Sequence, residues 1–197
     1  MPDPVVNPAA LEPLYGPSDI PNLHRVKAKT HGQPAEVRKG RRPTPVHIAQ
    51  DLRRYVTEWR DTQYAGASET SQELLQHWFG QSHEVAGPDE SRFPFSYYFC
   101  QREAIETLIY LYEVRGIRTL SALTDEFGLA ESGDRRIAAL GIHPDEDLWP
   151  RYAFKVATGA GKTKIMSLAI VWSYFHALRE SDSPMARHFV LVAPGIT

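Results

Sequence analysis

The segment Thr158-Gly159-Ala160-Gly161-Lys162-Thr163 holds the residue types that a phosphate cradle needs, in the order it needs them. Gly159 and Gly161 reach backbone angles closed to other residues and let a ligand approach the main chain closely. Successive amides then face one concavity and take up phosphate oxygens. Lys162 brings an ammonium to the β- and γ-phosphates, and Thr163 offers a hydroxyl to Mg²⁺. The chemistry implied is binding of a nucleoside triphosphate. The complete phosphate-loop pattern has a further glycine five residues before Gly161. Val156 stands there, so the pattern is a shortened one.

A cradle of this kind needs elements on both sides to hold it. Tyr152 to Val156 is apolar apart from Lys155 and predicts a short buried strand. From Lys164 to Leu178, Ile165, Leu168, Ala169, Trp172 and Phe175 recur at helical spacing. Ile170, Val171 and Tyr174 fill another side, which predicts a largely buried helix. Strand, glycine turn and helix, in that order, put the free amides and positive dipole end of the helix at the phosphates.

Upstream, proline marks the organisation. Nine of the 15 prolines lie at or before Pro45, so residues 1–44 are predicted to be extended or loop-like. That segment carries seven basic and four acidic residues and includes the cluster Arg38, Lys39, Arg41 and Arg42. Such a cluster reads as a solvated surface run or as an arm that contacts phosphates. Residues 45–149 are predicted to be mainly helical. One helix starts at the Thr44 cap and Pro45 and runs to about Arg60, with Ile48, Leu52, Tyr55 and Trp59 as its apolar stripe. A second spans Ser71 to Phe79, with Leu74, Leu75 and Trp78 inward and Gly80 as its stop. Residues 81–92 read as a loop. Five aromatics fall within Phe93–Phe99, and a helix from Gln101 to about Val114 follows, with Ala104, Leu108 and Leu111 on one face. Residues 117–149 read as short helices and loops that end in an acidic Pro144-Asp145-Glu146-Asp147 turn.

Composition sets outer bounds. The 197 residues carry 22 basic and 24 acidic side chains, a balance that rules out a polybasic nucleic-acid binder. A single cysteine, Cys100, can form neither an intrachain disulfide nor a cysteine-based zinc cluster, which favours a reducing, cytoplasmic setting. No apolar run is long enough for a membrane span, and the first residues lack a signal-peptide pattern. The eight histidines show no metal-ligand spacing and read as ordinary surface or helix residues.

Ala153-Phe-Lys-Val-Ala-Thr-Gly-Ala-Gly-Lys-Thr163 resembles motif I of superfamily-two (DEAD/DEAH-type) helicases, in the branch that holds the motor (restriction) subunit of type III restriction enzymes. In that branch the leading glycine is commonly replaced, as it is by Val156 here. Phe189-Val-Leu-Val-Ala-Pro-Gly-Ile-Thr197 is similar to motif Ia, and Tyr98-Phe-Cys-Gln-Arg-Glu-Ala-Ile-Glu106 to the glutamine-containing element that precedes motif I. The resemblance covers about 93–116 and 151–197. It implies an α/β chain in which a mostly helical N-terminal region leads into the start of a RecA-like ATPase domain at 150–197. It implies ATP and Mg²⁺ as ligands, with Thr158, Gly159, Ala160, Gly161, Lys162 and Thr163 as the cradle. Lys162 and Thr163 are the residues that would act in catalysis, with Thr163 on the Mg²⁺. Gln101 would read the adenine edge, for which a coplanar amide acceptor and donor suit N6 and N7. Phe99 and its aromatic neighbours would stack on the base or pack in the core. Pro194, Gly195 and Thr197 would contact a nucleic-acid backbone. The partners implied are double-stranded DNA and a modification methyltransferase subunit, and a nuclease domain would follow in the complete motor.

The family's Asp-Glu element and second RecA-like domain have no counterpart here, and hydrolysis needs their carboxylate and arginines. The chain is therefore expected to be the N-terminal piece of a larger motor. Its segments 152–157 and 189–193 are expected to lack the strands between them and to expose free backbone. Two other readings compete: a small phosphate-loop phosphotransferase, which only 34 residues after Thr163 make a poor fit, and a non-enzymatic interaction module built on the helical 44–116 region.

Overall fold

The computed structural model describes residues 23–26, 36–39, 47–89, 91–127 and 150–192. Within them the chain forms mixed α and β structure: a helical core with two small antiparallel sheets. β1 (Leu23–Val26) pairs with β2 (Glu36–Lys39), with Leu23 opposite Lys39. The proline-rich segment thus holds a paired ladder within the stretch read as extended or loop. Arg38 and Lys39 of the basic cluster lie on β2, while Arg41 and Arg42 fall outside the described residues.

α1 (His47–Asp61) buries Val56 and Trp59. Tyr55, expected in the apolar stripe, turns outward instead. It packs on Phe127, 5.6 Å between ring centroids, beneath the Arg54 guanidinium. Thr44 and Pro45 lie outside the described residues. After α1 the chain turns sharply through Gln63 and Tyr64, both at positive φ, and the Trp59 indole donates to the Ala65 carbonyl at 2.9 Å. α2 (Glu69–Gly80) begins two residues before the sequence reading. Its cap is Ser68, whose hydroxyl accepts the Ser71 amide at 3.2 Å. Thr70, Ser71, Leu75 and Trp78 are buried, and Leu74 only half so.

Residues 81–92, read as a loop, instead contain β3 (His83–Ala86), which pairs with β4 (Arg92–Phe95). The short Gly87-Pro88-Asp89 turn lets the strands meet, and Val85 falls opposite Phe93. Both side chains are exposed, so burial gives this ladder no alternating pattern to read.

α3 (Phe99–Ile109) runs on into a π-helical turn, Tyr110–Val114. It packs against α1, α2 and α5 and is the centre of the core. Ile105 and Ile109 are fully buried, each contributing about 1.5–3 kcal/mol of apolar transfer. Polar Gln101 and Glu106 are buried on the same helix. α4 (Leu120–Glu126) follows, capped by the Thr119 hydroxyl on the Ala122 amide. The acidic 144–147 turn lies outside the described residues.

α5 (Lys162–Arg179) starts at the loop itself, two residues before the sequence reading. It was expected to be largely buried, but it is buried on one face only, through Ile165, Leu168, Trp172, His176 and Ala177. Met166, Tyr174, Phe175 and Leu178 stay exposed because α3 and α2 cover a single side. Trp172 fixes that side: its indole donates to the buried Ser71 hydroxyl at 2.8 Å, and its ring meets Tyr112 edge-on.

The predicted buried strand at 152–156 is not formed among the described residues. Phe154 is 41% exposed, and residues 152–156 make no backbone hydrogen bond. Phe189, Val190, Leu191 and Val192 are likewise unpaired, with Val190 and Val192 about nine-tenths open to solvent.

Candidate phosphate-binding loop

The loop between Val156 and α5 turns on two glycines in the left-handed region, Gly159 at φ 82° and Gly161 at φ 77°. A side chain at either position would be strained. Gly161 caps α5, so the helix opens directly onto the turn. The turn is closed by the Ala160 amide on the Ala157 carbonyl, at 3.3 Å. The amides of Thr158, Gly159, Gly161, Lys162 and Thr163 have no hydrogen-bond partner among the described residues. A run of free donors at the positive end of a helix is a place where an anion binds.

The Lys162 ammonium folds back onto the loop and donates to the Ala157 carbonyl at 3.2 Å. It is exposed, so leaving that carbonyl for a phosphate oxygen requires only a side-chain rotation. The Thr163 hydroxyl is exposed as well. Lys164 leans away, its ammonium 5.3 Å from the Phe95 ring centroid, which links the β3–β4 hairpin to the first turn of α5. The structure therefore brings Thr158, Gly159, Ala160, Gly161, Lys162 and Thr163 together in one turn. Pro194, Gly195 and Thr197 lie outside the described residues.

Gln101 also reaches the loop, though through the main chain. Its side-chain carbonyl accepts the Tyr98 amide at 3.0 Å, and its side-chain amide donates to the Ala160 carbonyl at 3.0 Å. The residue is 5% exposed. Both ends of the amide are thus committed to backbone groups rather than presented as an open edge to a base. Phe99 is buried in the core, whereas Phe93 is more than half exposed and Phe95 and Tyr97 pack edge to face.

A cleft of ≈ 490 Å³ flanks the loop, with α1 and α3 on one wall and residues 152–157 on the other. It meets the loop at Ala157 and Ala160 and does not include Lys162 or Thr163. Cys100 lines it, and partial desolvation pushes that thiol upward, away from a reactive thiolate. A larger hollow of ≈ 630 Å³, between Gln63 and α2, touches no loop residue.

Sequence reasoning missed Glu106, a fully buried carboxylate one and a half turns along α3 from Gln101. It receives the Arg60 guanidinium through two nitrogens, Arg102 Nε at 2.8 Å and the Tyr64 hydroxyl at 2.7 Å. An Arg-x-x-x-Glu pair, Arg102 to Glu106, was its one legible sign. Among the described residues no group of three or more metal-ligating side chains occurs, and no helix is long and apolar enough to cross a membrane. Comparison with family models, with curated proteins and with solved structures gives no match for this chain.

Proposed function

We propose that the chain binds ATP with Mg²⁺ at Thr158–Thr163, as part of a DNA-translocating ATPase similar to the motor subunit of type III restriction enzymes. The observation that carries this reading is the loop itself. Two left-handed glycines, five unpartnered amides and a lysine at the first position of α5 all meet in one turn. The phosphates would displace Lys162 from the Ala157 carbonyl and replace that contact with a charged one. The Thr163 hydroxyl would take the Mg²⁺. In this reading 152–157, α5 and 189–193 would belong to the first strand–helix–strand unit of a RecA-like domain. Duplex DNA would meet the motif Ia segment at Pro194, Gly195 and Thr197. ATP binding is the activity we assign to these residues.

The test is equilibrium binding of ATP with Mg²⁺ to the wild type and to Lys162→Ala. A hydrogen bond to a charged group is worth about 1.5–3 kcal/mol. Loss of the ammonium should therefore weaken ATP by roughly ten- to a hundred-fold. Equal affinity in the two proteins would defeat the assignment.

A further inference from the structure

We infer that Gln101 positions the phosphate loop and does not discriminate between bases, an inference that rests on the nucleotide reading above. Gln101 is the third residue of α3, and its carbonyl reaches back to the Tyr98 amide as the return half of a capping box. That contact fixes the side chain at the mouth of the helix. The other end then holds the Ala160 carbonyl, in the middle of the turn. One side chain therefore ties a buried helix of the core to an exposed loop.

Gly161 strengthens the case. A Cβ built at Gly161 falls inside the van der Waals envelope of the Gln101 amide nitrogen. The atom it would meet is the end of the Gln101 side chain, so relieving the overlap would move that amide off the Ala160 carbonyl. Gly161 is thus required twice, once by its φ of 77° and once by Gln101. A base-reading glutamine would present its amide edge to the ligand, but here an acceptor and a donor are engaged with the main chain and the side chain is buried. The tie acts on the backbone that cradles phosphates, so its influence extends to every ligand with a phosphate tail, whatever base it carries.

The experiment uses the full chain and measures binding of ATP, GTP and inorganic tripolyphosphate, each with Mg²⁺, well below the unfolding midpoint. Gln101→Ala removes both contacts, and Gln101→Met removes both while keeping the length of the side chain. Loss of the neutral hydrogen bond to the loop should weaken all three ligands alike, by about three- to ten-fold in each variant. A loss confined to ATP would make Gln101 a base reader and overturn the inference, as would unchanged affinity for all three. Wild-type protein that binds none of the three would instead end the nucleotide reading, and the positioning role with it. A ligand-free measurement separates the contact from that outcome. Gly161→Ala should lower the thermal midpoint less in the Gln101→Ala background than in the wild type, because the φ strain is common to both and the clash is not. Equal decreases would show that no such contact exists.

Discussion

Replacing Glu106 with glutamine strikes a buried charge cluster without altering side-chain volume. The carboxylate is fully buried and faces two guanidinium groups, Arg60 at 8% side-chain exposure and Arg102 at 16%. Burial works against the Arg60 charge, but the Glu106 carboxylate more than offsets it and holds Arg60 above its ordinary value. Arg60 stays charged even when Glu106 is neutralised, because a guanidinium is effectively always protonated in a protein. A glutamine can accept from one arginine, but it turns an N–H₂ group toward the other donors. Four hydrogen bonds to a charged group at about 1.5–3 kcal/mol each would sum beyond any plausible total, because neighbours that share one acceptor are not additive. The relevant magnitude is that of an uncompensated buried charge, about 3–5 kcal/mol. Against a total stability of about 5–15 kcal/mol, that is a large fraction. For a chain of this size it corresponds to roughly 6–20 °C in the thermal midpoint. Guanidinium unfolding followed by tryptophan fluorescence reads it directly, since Trp59 lies beside Tyr64 at 5.0 Å between ring centroids. A second variant, Arg60→Met with Glu106→Leu, removes the charge pair together and should recover at least half of the loss. A cost below about 1 kcal/mol for Glu106→Gln would mean that solvent reaches the cluster, and the reasoning would fail.

Two further outcomes are expected. Burial, and then the neighbouring Glu106 charge, push the Tyr64 hydroxyl well above its ordinary value. Its contribution to stability is complete below about pH 10, where the unfolded tyrosine is still protonated, and it declines above that at up to about 1.4 kcal/mol per pH unit. Tyr64→Phe should flatten that alkaline slope in urea titrations, and an unchanged slope would place the Tyr64 hydroxyl in solvent. Val190→Asp with Val192→Asp changes two side chains that are about nine-tenths exposed, so the unfolding midpoint should stay within about 0.5 kcal/mol of the wild type while light scattering at high concentration falls. A destabilisation above 1 kcal/mol would show that these residues are covered in solution.

What could be read from the sequence followed from periodicity and from residues with special backbone demands. The glycine turn, α2 and α5 were legible because Gly80, Gly159 and Gly161 punctuate apolar stripes. The loop lysine and threonine were legible because their place relative to Gly161 is fixed by geometry. The β3–β4 hairpin was not, because a ladder with Val85 and Phe93 both exposed has no hydrophobic alternation. The outward turn of Tyr55 was not legible either, since Val56 and Tyr55 both fit an apolar stripe and only the position of Phe127 decides between them. At 152–156 the apolar run suggested a buried strand that the structure does not form. A strand is a property of a pair, and among the described residues that segment has no partner.

The least legible feature is the one on which the site most depends. Gln101 and Glu106 are polar residues inside a helix whose apolar neighbours, Ile105, Leu108 and Ile109, already explain why it is buried. Nothing in their spacing indicates that each is spent on a distant partner, Ala160 in the loop and Arg60 on α1. Yet their order along α3 makes a chain of constraint. Arg60 and Tyr64 grip Glu106, which fixes the rotation of α3 about its axis. Gln101, five residues earlier on the same helix, bonds the Ala160 carbonyl, beside amides that the start of α5 leaves unpartnered. A phosphate cradle must hold its donors in place before the ligand arrives, since ordering them on binding would subtract from affinity. Buried polar contacts are directional where apolar packing is not, and so can hold the loop in one orientation. A leucine at position 101 would still pack within the helix, but it would release the Ala160 carbonyl from its tie to α3.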